Sequence, residues 1–132
     1  MKTNILAAIL GLGFIITGVF AFTNSQAFFN LLGEYYGIFN NHFVKDAGIA
    51  FFSAGFLILL STKVQKWSVP LTLGGALFII LHGIFHIQML LMGMIPTTLD
   101  MIKEVLLIVS PSALTALLLI LRVRAQSQES NY

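Results

Sequence analysis

The chain has no cysteine. Disulfides, a thiolate nucleophile and cysteine-rich zinc or iron–sulfur sites are thereby excluded. Charge is almost as scarce. Only 9% of the 132 residues are Asp, Glu, Lys or Arg, whereas a soluble domain carries about 25% to cover its surface. The net charge of +2 comes from scattered residues, and no basic cluster points to nucleic acid. The chain also lacks an HExxH zinc motif and a glycine-rich phosphate loop. Ser53 and Ser110 are present, but without the strand–turn–helix elbow that presents a hydrolase serine.

What is present is apolar. Hydrophobic residues make up 58% of the chain and mean hydropathy is +0.93, so lipid is its natural solvent. The length suits one domain. Four stretches, about 5–22, 42–61, 69–94 and 99–121, approach the twenty or so residues that cross about 30 Å of hydrocarbon. The expected architecture is an all-α integral membrane four-helix bundle over 1–125, with 126–132 as a disordered cytoplasmic tail. The first stretch resembles a secretory signal, with Ser25-Gln26-Ala27 as a cleavage-like site. Its eighteen apolar residues exceed the roughly 7–15 of a signal core, and it is read as a membrane span.

Between the first two spans the pattern changes. Phe28, Phe29, Leu31, Leu32, Tyr35, Tyr36 and Phe39 recur at helical spacing, interrupted by Asn30, Gly33, Glu34 and Gly37. An amphipathic segment lying at the interface is expected, capped by Asn24-Ser25. Pro70 fits the first turn of the third span, and Pro111 should kink the fourth. Lys2, the Lys63/Lys66 turn, Arg122 and Arg124 fall on one side. The positive-inside rule makes that side, with both termini, cytoplasmic and suggests the inner membrane of a cell.

Within this apolar frame the chain has only three histidines. His82 and His86 stand four residues apart inside the third span; His42 stands four before Asp46 at the start of the second. Residues so spaced share a helix face, and ionisable groups at membrane depth are functional candidates by default. At about 1.5 Å per residue, Asp46, His86 and Glu104 come to similar depth in the outer half. Imidazole with carboxylate suits a transition metal, with copper, zinc and iron all compatible. His42, Asp46, His82 and His86 are the candidate ligands. Glu104 is a candidate base or supporting residue, and Met89 and Met101 are soft ligands that would favour copper. Haem b or a quinone is the other cofactor class. The inner half carries no ionisable group from Ala47 to Thr62 or from Val105 to Leu121, which excludes a complete proton wire. Simpler accounts exist for some residues. An acid in the first turns of a helix, such as Asp46 or Glu104, is favoured by the dipole, and buried histidines can join helices by hydrogen bonds. On those accounts the chain is an accessory subunit, its small-residue faces docking in a larger membrane complex or on a second copy.

The segment Asn40-Asn41-His42-Phe43-Val44-Lys45-Asp46-Ala47-Gly48, followed by Leu81-His82-Gly83-Ile84-Phe85-His86, resembles a group of small bacterial four-span membrane proteins. They share an Asn-x-His-Phe-x-x-Asp-x-Gly segment before a His-x-x-x-His helix. The resemblance covers spans two and three and implies architecture, not an activity.

Overall fold

In the computed structural model the described residues are 2–32 and 37–129. Gly33, Glu34, Tyr35 and Tyr36 of the expected interfacial segment lie outside them, as do the last three residues of the expected tail. Six α-helices follow in order: α1 (Lys2–Thr23), α2 (Ser25–Leu32), α3 (Asn41–Leu60), α4 (Ser68–Leu91), α5 (Thr98–Glu104) and α6 (Ser110–Glu129). A π-turn, Val105–Val109, joins α5 to α6, and the three run on as one membrane-length helix. With α1, α3 and α4 this makes four helices long and apolar enough to cross a membrane. No strand occurs among the described residues. The fold is an all-α four-helix bundle, with α2 as the short segment between the first two long helices.

The boundaries have local causes. Asn40, in extended conformation, accepts a side-chain hydrogen bond from Phe43 N–H at 3.1 Å and starts α3. Thr97 does the same for Asp100 N–H at the start of α5. Between α4 and α5 the chain reverses at Gly93, whose φ of +66° is open to glycine and strained for other residues. That turn ends α4 at Leu91, about three residues before the end expected from hydropathy. The fourth helix runs longer than expected: Gln126–Glu129 continue α6, where a disordered tail had been inferred from their polarity.

Packing is closest between α1 and α3. Gly11 and Gly18 on one helix meet Gly55 and Gly48 on the other. A Cβ built on Gly18 would lie 2.5 Å from Phe52 N and 2.6 Å from Gly48 O; one on Gly55 would lie 2.6 Å from Gly11 O. The two backbones are in direct contact at both levels, which is how helices associate where lipid removes the hydrophobic drive between them. The seven-residue spacing of each glycine pair puts its members two turns apart on one face. Around the Gly11–Gly55 end of this seam Ala7, Leu10, Phe14, Ala54, Ile58, Ile79 and Leu118 form the main apolar cluster, joining all four long helices.

One end of the bundle is closed by a single side chain. Arg122 of α6 is 4% exposed. Its guanidinium donates to Ser61 Oγ (2.5 Å), Thr72 Oγ1 (2.6 Å), Ser68 O (3.2 Å) and Asn4 Oδ1 (3.0 Å). These acceptors belong to the start of α1, the C-cap of α3 and the first turns of α4, so all four long helices are tied at the end that carries the basic residues. Ser61 also marks the negative end of the α3 dipole, which favours a cation there.

Candidate functional site

The opposite half of the bundle is open. α1, α2, α3, α4 and the π-turn surround a cavity of about 940 Å³, near the upper end of the usual range for ligand cavities. Its wall includes eight phenylalanines: Phe14, Phe20, Phe28, Phe29, Phe43, Phe51, Phe78 and Phe85. Between the rings stand a few polar residues: Thr17, Asn40, Asp46, His82, His86 and Ser112. α2 helps to close one side, because Phe28 packs on Ala21 and Val44 and Ser25 Oγ donates to Asn41 Oδ1 at 2.6 Å.

His86 is buried against α5. Its Nδ1 lies 2.6 Å from Glu104 Oε2, with His86 2% and Glu104 1% exposed. The depth count places these two residues level; the contact shows that they also face each other. The fourth helix makes this possible by changing its winding. Pro111 has no N–H and its ring crowds the preceding turn. Ser110 N–H and its Oγ both donate to Val105 O instead, the latter at 2.7 Å, closing a wider π-turn. Each residue turns an α-helix by about 100°, so the extra residue of the π-turn re-aims everything before it. The expected kink at Pro111 therefore takes the form of a π-turn, and Met101 and Glu104 face different surroundings. Glu104 and Thr115 are buried, whereas Met101 is exposed.

Lys103 is turned away from this pair. It donates to Asp100 Oδ1 at 3.2 Å, leaving Glu104 to the histidine.

His82, one turn further into the bundle, is held by rings. It stacks on Phe78 (centroids 5.5 Å apart, planes 18°), meets Phe51 edge-on (5.3 Å, 85°) and touches His86 (4.4 Å, 62°). It makes no hydrogen bond among the described residues. Buried polar atoms are otherwise satisfied there: no fully buried side-chain nitrogen or oxygen lacks a partner. The His82 nitrogens consequently open onto space, and the space that His82 lines is the cavity. Ser112 lines the same cavity, its side chain filling the volume that a Cβ on Gly83 would take. Its hydroxyl donates to Ile108 O at 2.7 Å and keeps an acceptor free for a ligand.

The expected second pair forms but points elsewhere. His42 Nδ1 lies 2.8 Å from Asp46 Oδ2, and the two side chains are 87% and 59% exposed. Asp46 borders the cavity whereas His42 does not. The described residues contain no group of three or more His, Asp or Glu side chains placed to hold a metal. The four expected ligands are thus distributed between an exposed pair on α3 and a buried stretch of α4. The sulfur residues are equally dispersed: Met89 and Met94 line the cavity, while Met101 is outside it. A haem held between two helices needs histidines on both, but His82 and His86 belong to one helix and His42 is turned out.

No known protein family, curated protein or solved structure matches the chain.

Proposed function

We propose that the protein is a multi-pass membrane protein that takes a lipophilic molecule into the outer-half cavity and holds its polar group at His82. The single observation that carries this reading is an imidazole without a hydrogen-bond partner on the wall of a large apolar cavity. A ligand that brings a hydrogen-bonding group to that imidazole gains about 0.5–1.5 kcal/mol from the bond. The Phe78 and Phe51 rings fix the His82 plane, and the His86–Glu104 pair braces the helix behind it. Among the readings suggested by the sequence, this favours the lipophilic-ligand class, to which quinones belong, over a His/Asp metal centre. In the membrane, the Arg122 end and both chain termini face the cytoplasm by the positive-inside rule, and the cavity lies in the extracytoplasmic half.

The test is saturable binding of a purely apolar probe. Dodecylbenzene is titrated into protein in lipid nanodiscs, with empty nanodiscs as the partition blank. One equivalent is expected to bind, and Ala50→Trp, which places an indole in the cavity, is expected to abolish it. Binding that does not saturate, or that survives Ala50→Trp and Ala47→Trp alike, would overturn the reading.

A further inference from the structure

The charges around the cavity specify the head group of its ligand; this step rests on the reading of the cavity as a ligand site. Among the described residues no lysine or arginine lines it. The two lysines in this half are engaged elsewhere: Lys45 Nζ lies over the Phe22 ring, 5.5 Å from its centroid, and Lys103 is paired with Asp100 at 3.2 Å. Arg122 is at the other end of the bundle, surrounded by four oxygens. A carboxylate or phosphate entering the cavity would leave water and meet no positive partner, and the cost of an unpaired ion in such surroundings is several kcal/mol. Two of the described acids lie on or behind the wall, and each already has an imidazole. Asp46 is held by His42 at 2.8 Å, and Glu104 lies against His86 with 1% exposure. A cationic head would find Glu104 already held inside the bundle, and at the exposed Asp46 only the slight gain of a solvent-facing pair.

What remains on the wall is uncharged polarity. A neutral imidazole offers one donor and one acceptor, and the Ser112 hydroxyl, also on the cavity wall, adds an acceptor. We infer that the ligand is an uncharged lipid whose head is a hydroxyl or carbonyl group, seated at His82 and Ser112 with its apolar body among the phenylalanines around Phe14 and Phe51. Phenols, quinones and sterol-like alcohols satisfy this description. Fatty acids, phospholipids and lipophilic cations do not.

The experiment holds the tail constant and changes the head. Binding of 4-dodecylphenol, 4-dodecylbenzoate, 4-dodecyl-N,N,N-trimethylanilinium and dodecylbenzene is measured in nanodiscs with the same blank. The phenol is expected to bind about tenfold more tightly than dodecylbenzene, which corresponds to one good hydrogen bond, and both ions more weakly than dodecylbenzene. His82→Phe should bring the phenol to the level of dodecylbenzene, and His82→Gln, which keeps a donor and an acceptor, should retain part of the preference. If all four probes bind alike and Ala50→Trp still blocks them, the cavity is a ligand site but the assignment of its head group is overturned. Tight binding of the benzoate or the cation would also overturn it. If dodecylbenzene itself does not bind saturably, the underlying reading fails with it.

Discussion

Glu104 Oε2 lies 2.6 Å from His86 Nδ1, and both side chains are closed off within the bundle. This joins the fourth helix to the third across the open half, as Arg122 joins all four across the other. Removing one partner of such a buried pair leaves the other stranded, which typically costs about 3–5 kcal/mol. Glu104→Ala should therefore lower the melting temperature in detergent markedly. Glu104→Gln, which can still hydrogen-bond to the imidazole, should lower it by much less. Equal effects of the two substitutions would show that volume, and not the polar contact, matters at this position.

The exposed pair should behave differently. His42 and Asp46 are in contact, but solvent-facing ion pairs contribute only about 0–1 kcal/mol. His42→Ala and Asp46→Asn are expected to leave thermal stability within about 0.5 kcal/mol of the parent. A loss comparable to that of Glu104→Ala would mean that the pair has a partner in the membrane.

The glycine seam sets the geometry of α1 on α3. A Cβ at Gly18 would meet backbone atoms, which cannot rotate away, whereas one at Gly13 meets nothing within 4 Å. Gly18→Ala and Gly55→Ala should each destabilise the bundle, by about 1–3 kcal/mol as overpacking does. Gly13→Ala, in the same helix, should be neutral or slightly stabilising because it raises helix propensity. Thermal unfolding followed by circular dichroism separates the three.

Arg122 is a buried cation held by neutral oxygens. Arg122→Lys keeps the charge but loses the planar fork that reaches Asn4 and Thr72 together, so it should be destabilising despite its conservatism. Arg122→Met combined with Ser61→Ala and Thr72→Val should recover part of that stability, because removing all partners of a polar network costs less than removing one. A triple variant less stable than Arg122→Met alone would contradict this account of the clasp.

The dispersal of the candidate ligands also has a measurable consequence. A structural or catalytic metal site takes about three or four protein ligands at one point, and His42 with Asp46 is separate from His82 with His86. Protein purified in detergent is expected to carry less than about a tenth of an equivalent of copper, zinc or iron, unchanged in His82→Ala. A full equivalent that His82→Ala removes would restore the metal reading.

Much of this arrangement was legible in the sequence because it depends on length and depth. The four spans follow from hydropathy, the α3 cap from Asn40, and the level meeting of His86 with Glu104 from counting residues inward from each helix end. Counting does not give direction around the axis. His42 and Asp46 share a face, as their spacing requires, but that face is largely exposed and only Asp46 touches the cavity. By sequence alone, the dipole at a helix start is enough to account for Glu104. Its inward aim depends on the π-turn before Pro111, and a proline in the sequence announces a break without saying how the winding absorbs it. The Arg122 clasp was read only as flanking positive charge, although Ser61, Ser68 and Thr72 near the ends of two spans were a visible set of acceptors. The cavity had no signature of its own beyond the number of phenylalanines, because a void is a property of several helices together.

The central claim is that His82 faces the cavity with its hydrogen-bonding capacity open to a ligand. With only three histidines in the chain, ring-¹⁵N-histidine labelling gives three pairs of imidazole nitrogen signals, assigned with His42→Ala and His82→Phe. Titration of the nanodisc-embedded protein with 4-dodecylphenol is expected to move the His82 signal saturably, to leave His42 in place, and to have no effect on His82 once Ala50→Trp fills the cavity. A His82 signal that does not move at saturating probe, or that moves equally with Ala50→Trp in place, would contradict the account.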